Sequence, residues 1–225
     1  MSEQRGLVIT IDGPSGVGKS TISRKVAAHY GFTYLDTGAM YRAVAYHLRK
    51  NKTDINDSSA VEEALGHITL ELLPAPNEND DVGVLLNGEN ISSLIRTPEM
   101  SMLASTVSAL PAVRRKLTAL QRQLGERGSI VAEGRDTGTV VFPTARYKFY
   151  LDASPQARTG RRALQLRERG EAVDEQKLLE MTVARDKQDR ERELAPLQKA
   201  DDAVLIDTTD LSVDQVLQRM TETID

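Results

Sequence analysis

The sequence contains no cysteine, no long apolar run and no excess of positive charge. Without cysteine the chain has no disulfide framework, no thiolate metal site and no thiol nucleophile. Because no run of about 18 apolar residues occurs, we expect no membrane-spanning segment. The net charge of -4 argues against a broad surface for nucleic acid, so no nucleic-acid partner is expected. At 225 residues the chain is expected to form one domain of moderate size.

The first six residues are polar and lack the apolar stretch of a secretory signal. We therefore expect a soluble, cytoplasmic protein. Nothing in the sequence demands an oligomer, and a monomer is the expected state.

The most informative segment is a glycine-rich loop, GPSGVGKST at residues 13–21, which we call the phosphate loop. It matches G-x-x-x-x-G-K-[ST], a pattern whose backbone N–H groups surround nucleotide phosphates. An apolar segment precedes it and an amphipathic helical pattern follows it, as the pattern requires. We expect a nucleoside triphosphate here, with Lys19 on the β- and γ-phosphates and Ser20 on Mg²⁺. The predicted ATP-binding residues are Gly13, Pro14, Ser15, Gly16, Val17, Gly18, Lys19, Ser20 and Thr21.

Five short apolar segments are typical of buried parallel strands. Helical patterns separate most of them, which predicts an α/β fold. Helix starts are predicted near Thr97, Ser154, Asp174 and Ser212, and Gly125 and Gly128 are predicted to end a long helical stretch. The predicted strands are Leu7–Ile11, Phe32–Leu35, Ser129–Ala132, Lys148–Leu151 and Ala203–Ile206.

Residues 54–96 interrupt this alternation of strands and helices. A helix is predicted at Ser58–His67, and two strands at Ile68–Leu73 and Val82–Leu86. A polar linker, residues 74–81, joins the two strands. We therefore predict an antiparallel hairpin inserted into the α/β order.

Two further clusters follow predicted strands, at the edge of the sheet where open α/β folds bind ligands. Thr37, Gly38 and Arg42 follow the second strand and suit a second phosphate, although a helix N-cap at Thr37 with a solvated Arg42 is equally compatible. Glu133 follows the third strand, where a carboxylate could assist Mg²⁺. The next two residues, Arg135 and Asp136, could bind a phosphate and an exocyclic amine, or form a salt-bridged surface turn.

Residues 158–192 hold eight arginines, yet eight acids and two lysines leave a net charge of only +2. Charged helices are usually solvated. Spacing nevertheless places two arginine groups on shared helix faces, where they could close over transferring phosphates. The eight are Arg158, Arg161, Arg162, Arg167, Arg169, Arg185, Arg190 and Arg192.

Together these segments resemble the bacterial-type cytidylate kinase family over nearly the whole chain. The resemblance is carried by ITIDGPSGVGKST (9–21), LDTGAMYR (35–42), EGRDTGTVVFP (133–143), YLDAS (150–154) and ARDKQDRERELAPL (184–197). It implies a P-loop nucleoside monophosphate kinase fold, with a five-stranded parallel sheet flanked by helices. It also implies one domain with a core at residues 1–53, 97–153 and 195–225, a monophosphate-side insert at about 54–96 and a short helical lid at about 154–172.

The resemblance further implies roles for individual residues. Thr37, Arg42 and Arg135 would hold the acceptor phosphate. Lys19, Arg135, Arg158 and Arg162 would act in catalysis, with Arg161 in the same lid. Ser105, Arg114 and Asp136 would read cytosine. Arg185, Asp189 and Arg192 would contact the ribose and phosphate side of the acceptor.

The activity implied is transfer of the ATP γ-phosphoryl group to CMP or dCMP, with Mg²⁺ as cofactor. Kinases for UMP, dTMP or shikimate are alternative enzymes. A P-loop switch protein would need a guanine-reading motif in its proper place. Here N-K-x-D at residues 51–54 follows a predicted helix, so we interpret it as a polar turn. An RNA-binding protein is the third alternative, which the acidic balance disfavours.

Overall fold

Five parallel strands form the central sheet in the computed structural model, which describes residues 6–75, 77, 80–168 and 170–225. Numbered along the chain, they are β1 (Val8–Asp12), β2 (Thr33–Asp36), β6 (Ile130–Gly134), β7 (Tyr147–Asp152) and β8 (Val204–Asp207). Their order across the sheet is β2-β6-β1-β7-β8. The five strands predicted from the sequence are confirmed, with ends shifted by one or two residues. Arg169, one of the eight arginines noted above, lies outside the described residues.

The register of the sheet aligns the ends of three neighbouring strands. Asp12 of β1 lies opposite Gly134 of β6, and Asp36 of β2 lies opposite Glu133 of β6. All these pairs are parallel, so the strands finish at the same edge of the sheet. The loops that follow them, which include the phosphate loop, therefore start side by side.

Helices pack on both faces of this sheet. Ile130 belongs to an apolar core that includes Leu117, whereas the next residue, Val131, belongs to a second core with Val26 and Met220. Successive strand residues point to opposite faces, which explains this alternation. In the described part of the chain the α-helices are α1 (Lys19–Tyr30), α2 (Thr37–Lys50), α3 (Ser58–Gly66), α4 (Pro98–Val107), α5 (Pro111–Glu126), α6 (Pro155–Glu168), α7 (Glu175–Glu191) and α8 (Val213–Ile224).

Side-chain caps start the helices where the sequence predicts them. Thr97 accepts a hydrogen bond from Met100 N, and Asp174 and Ser212 cap α7 and α8 in the same way. The alternative of an N-cap at Thr37 is wrong. Asp36 caps α2 by accepting from Ala39 N, so Thr37 is already helical.

Of the two glycines predicted to end the long helical stretch, Gly128 directly follows the C-cap Arg127, whereas Gly125 lies inside the last turn of α5. α5 continues through Gly125 to Glu126, and the long helical stretch is divided into α4 and α5. A Cβ at Gly125 would lie 2.8 Å from the ring of Phe142. Glycine is therefore needed here for close packing rather than for a helix end.

The insert contains three short strands, β3 (Leu70–Leu73), β4 (Gly83–Leu86) and β5 (Glu89–Asn90), which form a small antiparallel sheet in the order β3-β4-β5. The predicted hairpin is confirmed, while the two-residue strand β5 was not predicted; residues 76, 78 and 79 of its linker lie outside the described residues. Val84 of β4 packs in the same apolar core as Val44 of α2. The insert therefore shares the core that lies between the central sheet and its helices.

The N-K-x-D segment forms a polar turn after α2, as predicted: Asn51 is the C-cap and Lys52 has a φ of 53°. Elsewhere, Thr137–Val141 forms a π-helical turn directly after Asp136. Among the described residues, no helix has the length and apolarity needed to cross a membrane.

Burial in the central sheet should dominate the stability of this fold. Leu151 of β7 is fully buried, whereas Leu205 of the edge strand β8 is 57% exposed. We expect Leu151→Ala to lower the free energy of unfolding by about 2–5 kcal/mol, because it leaves a cavity. The matched control Leu205→Ala should change it by less than about 0.5 kcal/mol. Urea unfolding of both variants measures this, and equal losses would contradict the assignment of the core.

Candidate active site

A cavity of about 760 Å³ opens where the strands of the central sheet end. The phosphate loop forms one wall, residues after β2 and β6 form the floor, and α4, α6 and α7 complete the enclosure. Among the described residues, the predicted site residues that do not line this cavity are Gly13, Pro14 and Arg114. The structure thus brings residues that are far apart in the sequence to one site.

The phosphate loop has the backbone that its glycines predict. Gly13 has a φ of 149°, and a Cβ there would lie 2.1 Å from the Leu151 carbonyl oxygen. Lys19 is buried at the start of α1 and donates a hydrogen bond to the Pro14 carbonyl, 2.7 Å away. Burial lowers the pKa of Lys19 well below its usual value, and Arg135 lowers it further. An anion bound in the loop would favour the charged ammonium.

Oxygen atoms suited to Mg²⁺ meet beside the phosphate loop. Ser20 Oγ donates to Glu133 Oε1 at 2.8 Å, and Tyr34 Oη donates to the same oxygen at 2.8 Å. Glu133 Oε2 is buried and has no hydrogen-bond partner within the described part of the chain. Burial raises the pKa of Glu133, as does Asp36. A hydroxyl and a carboxylate oxygen that lacks a partner fit the preference of Mg²⁺ for oxygen ligands.

Ser20 and Glu133 would hold Mg²⁺ only together with further oxygen ligands. The described residues include no cluster of three or more acidic or histidine side chains that could hold a metal. The remaining ligands would therefore be the phosphates of a bound nucleotide and water.

Behind the phosphate loop, Asp12 joins β1 to the turn that follows β6. Its carboxylate accepts hydrogen bonds from Thr137 N at 2.9 Å, Thr137 Oγ1 at 2.8 Å and Gly138 N at 2.7 Å. Burial raises the pKa of Asp12 to about 6, although these hydrogen bonds oppose the shift. Asp12 was not predicted as a site residue; its position directly before the glycine-rich loop was the available signal.

A second group of charged residues lies beyond β2. Arg42 Nη2 donates to Asp36 Oδ2 at 3.2 Å, and its Nε is buried with no hydrogen-bond partner among the described residues. Arg96 lies 3.8 Å from the same carboxylate and 3.1 Å from Asp81. Thr37 Oγ1 donates to the Glu133 carbonyl at 2.6 Å. The alternative of a solvated Arg42 is wrong, because this side chain is only 16% exposed.

Asp36 and Arg96 were not predicted as site residues. Asp36 directly precedes the LDTG threonine, which was the available signal. No local pattern marks Arg96, which reaches the cavity from the end of the insert.

Helix α7 contributes a buried carboxylate to the same cavity. Asp189 Oδ1 accepts from Ser105 Oγ at 2.7 Å, and Oδ2 accepts from Arg135 Nε at 2.9 Å. Burial raises the pKa of Asp189, but Arg135 and Arg185 outweigh it and hold the pKa at about 2. Burial lowers the pKa of Arg185 to about 10, and neighbouring Arg135 adds to this shift. The wall therefore concentrates positive charge around one carboxylate.

Asp136 lies next to this wall, between two arginines. Its carboxylate accepts from Arg114 Nη2 and from Arg192 Nη2, the latter at 3.4 Å. Arg114 lies behind Asp136 and also donates to the Ser108 carbonyl at 3.0 Å. Burial raises the pKa of Asp136, which the two arginines oppose. The alternative of a surface turn is wrong, because Asp136 is 5% exposed.

The side chains of the adjacent residues Arg114 and Arg115 lie in different environments. The Arg114 side chain is 8% exposed, whereas Arg115 is 66% exposed and paired with Glu62 at the surface. Arg114, which the resemblance favoured for base reading, is thus the one directed inward.

The three arginines of α6 that the resemblance assigns to a lid have different surroundings. Arg162 lines the cavity, with its Nη1 3.4 Å from Gln165 Oε1. Arg161 donates to Thr208 Oγ1 at 3.1 Å and to the Thr208 carbonyl. Arg158 is 2% exposed and binds Asp186, a residue that the sequence analysis missed.

A glycine-rich phosphate loop that faces an arginine-rich wall across one cavity is suited to moving a phosphoryl group between two phosphate-bearing molecules. On a parallel sheet of this topology, that arrangement defines a P-loop kinase. The sequence model of the cytidylate kinase family matches residues 9–225. The chain belongs to the cytidylate kinase family.

Individual relatives agree with this placement. The chain is 46% identical to a cytidylate kinase from Syntrophotalea carbinolica over 220 residues, which cover 98% of this chain and 92% of that protein. It is 43% identical to a cytidylate kinase from Carboxydothermus hydrogenoformans over 216 residues, 96% of each chain. A crystal structure of an uncharacterized protein from Eubacterium ventriosum is similar in fold, with a TM-score of 0.50 and 16% identity over 97% of this chain and 98% of that one.

The raised pKa of Asp12 has a measurable consequence for stability. Since its folded-state pKa of about 6 exceeds the usual 3.8, its contribution to stability is full below about pH 3.8 and is lost as the pH rises through about 6. Relative to Asp12→Asn, the free energy of unfolding of the wild type should therefore fall by about 3 kcal/mol between about pH 3.5 and 7. Urea unfolding at several pH values measures this difference.

Asp202 provides the control for this measurement. It is an exposed carboxyl whose pKa is lowered by a hydrogen bond from Lys148. The same comparison with Asp202→Asn should change with pH in the opposite direction. A difference between wild type and Asp12→Asn that does not vary with pH would contradict the prediction.

Proposed function

We propose that this protein transfers the γ-phosphoryl group of ATP to CMP or dCMP, giving ADP and CDP or dCDP. The observation that carries the proposal is the cavity itself, in which the phosphate loop faces a wall containing Arg135, Asp136 and Asp189. One side suits a triphosphate donor, and the other suits an anionic acceptor with a polar base. Membership of the cytidylate kinase family favours CMP as that acceptor.

The donor side would be held by residues 13–21. Backbone N–H groups of the loop and Lys19 would bind the β- and γ-phosphates. Ser20 Oγ and the Glu133 carboxylate would contribute to a Mg²⁺ site shared with those phosphates, Glu133 directly or through water. When bound there, Mg²⁺ supplies neutralisation of phosphate charge.

The acceptor phosphate would lie near Thr37, Arg42 and Arg135. Arg42 Nε is buried without a hydrogen-bond partner in the described part of the chain, and a phosphate oxygen would satisfy it. Arg185 has a lowered pKa because it is buried near another guanidinium. A dianion placed between these arginines would relieve their mutual repulsion.

The base would be read by Ser105 and Asp136, and Arg114 would act from behind by holding the Asp136 carboxylate. Cytosine offers a donor at N4 and acceptors at N3 and O2, so a carboxylate with nearby arginines complements it. Uracil would instead direct a carbonyl oxygen at Asp136. The buried Asp136 carboxylate would then lose a donor, at a cost on the order of 1–3 kcal/mol. Arg192, which lies between Asp136 and Asp189, would contact the ribose and phosphate side of the acceptor.

The chemical step needs no general base. The acceptor phosphate has a second pKa near about 6, so it is largely dianionic at neutral pH. One of its oxygens attacks the γ-phosphorus, the bond from that phosphorus to the bridging oxygen breaks, and ADP leaves with the bond's electron pair. Lys19, Arg135 and the lid residue Arg162 would neutralise the charge that develops.

The sequence expectations about organisation are retained as part of this proposal. The enzyme would be a cytoplasmic monomer with a single domain. Residues of about 54–96 would form its acceptor-side insert, and residues of about 154–172 its lid.

The first test is ADP formation with ATP·Mg²⁺ and each of CMP, dCMP, UMP, AMP, GMP, dTMP and shikimate. We expect turnover with CMP and dCMP and little with the others. Lys19→Met should lower kcat by at least about 100-fold, because it removes a buried cation from the phosphates. Lys25→Met, on the exposed face of the same helix, is the control and should retain full activity. Preferred turnover of another acceptor would overturn the assignment of cytosine as the base. Full activity of Lys19→Met would overturn the role of the phosphate loop in binding the donor.

Asp136→Asn should reduce discrimination between CMP and UMP. The amide can donate a hydrogen bond to a uracil carbonyl and no longer offers a charged acceptor to cytosine N4. We expect the ratio of kcat/KM for CMP to that for UMP to fall roughly 10-fold, mainly through KM for CMP. Steady-state kinetics with both acceptors measures this ratio, and Asp214→Asn, an exposed acid, is the control. Equal changes for both acceptors would exclude base reading by Asp136.

A further inference from the structure

Arg158 is the most deeply buried arginine among the described residues that line the cavity, and it donates hydrogen bonds to other parts of the protein. Its Nε donates to the Ala153 carbonyl at 3.0 Å, and its Nη1 donates to the Ser15 carbonyl of the phosphate loop at 3.0 Å. Both Nη atoms also donate to the Asp186 carboxylate. Because these bonds occupy most of its N–H groups, Arg158 has little left to offer a transferring phosphate.

The Arg158–Asp186 ion pair lies where three elements meet. Arg158 belongs to α6, Asp186 belongs to α7, and the phosphate loop lies against both. The side chains are 2% and 5% exposed. A Cβ at Gly16 would lie 3.2 Å from Arg158 Cβ, which shows how closely the loop approaches this arginine. Through Arg158, the pair therefore connects the phosphate loop to α7.

The same face of α7 continues into the acceptor side of the cavity. Arg185 Nη1 donates to Ser15 Oγ at 3.0 Å, so α7 contacts the loop a second time. One turn later Asp189 binds Ser105 and Arg135. From Arg185 to Asp189, both within α7, the helix rises about 6 Å. A single rigid element thus connects the donor loop to the groups proposed to bind the acceptor.

We propose that the Arg158–Asp186 ion pair couples the binding of the two substrates by holding the phosphate loop against α7. Arg158 would then be a positioning residue, in place of the direct role in phosphate neutralisation that the family resemblance implies. This inference rests on the proposed function, because it needs a donor and an acceptor in the same cavity. If the loop and α7 move together, each substrate favours the arrangement that the other requires, and by thermodynamic linkage the effect is reciprocal.

The test measures the coupling factor, which is the ratio of the CMP dissociation constants without and with a saturating non-hydrolysable ATP analogue and Mg²⁺. Calorimetry gives both constants, and the reverse titration must give the same factor. We expect at least about five-fold coupling in the wild type and less than about two-fold in the double variant Arg158→Met/Asp186→Leu. Apolar replacement of both partners avoids an unpaired buried charge, so this variant is expected to fold.

The matched control uses a second ion pair between the same two helices. Arg167 and Glu175 join α6 to α7 at the surface, each about half exposed. Arg167→Met/Glu175→Leu should keep the coupling factor of the wild type. Asp186→Asn retains a hydrogen-bond acceptor for Arg158 without the charge, so its coupling factor should lie between those of the wild type and the double variant. This single variant replaces the double variant in the test if the double variant does not fold.

The outcomes separate the two proposals. If the wild type binds the ATP analogue but not CMP, the proposed function fails, and the coupling with it. If it binds both but the coupling factor is the same in the wild type and the double variant, the positioning role alone is overturned. A large fall in kcat for Arg158→Lys with wild-type kinetics for Asp186→Asn would assign Arg158 to direct contact with the phosphates instead.

Discussion

The arrangement of the site depends on holding several guanidinium groups close together in a buried cavity. Like charges at this distance repel strongly where water is scarce. Asp189 offsets that repulsion, since it accepts from Arg135, lies 3.8 Å from Arg192 and lowers the electrostatic cost of Arg185. Its own pKa of about 2 shows how strongly these cations stabilise its charge. Without this carboxylate the arginines would have to separate or bind an anion.

The register of the central sheet determines which loops can cooperate. Because Asp12 lies opposite Gly134 and Asp36 lies opposite Glu133, the loops that follow β1, β2 and β6 leave the sheet at one level. Asp12 then bonds to the turn after Asp136, and Ser20 bonds to Glu133. The groups proposed to bind the donor and those proposed to bind the acceptor are therefore attached to the same sheet. Catalysis by proximity and orientation of two substrates requires such an arrangement.

Much of this arrangement could be predicted from the sequence, because local patterns report local structure. Apolar runs located the five strands, and the glycine pattern located the phosphate loop. Long-range ion pairs were not predictable in this way. Asp186 and Arg158 are 28 residues apart in sequence, and Arg96 reaches Asp36 across the insert. Gly125 packs closely against Phe142 inside α5, a contact that only the folded chain reveals.

An acidic protein that binds anions must place its positive charge locally. The chain carries a net charge of -4, yet Lys19, Arg42, Arg135 and Arg185 lie around one cavity. Because the chain as a whole is acidic, the positive charge of these residues is concentrated at the cavity. Such a concentration of charge favours small phosphate-bearing molecules that fit within the walls. It gives no advantage to a long polyanion such as RNA, whose backbone would need a continuous basic surface. The distribution of charge thus agrees with a kinase for small nucleotides.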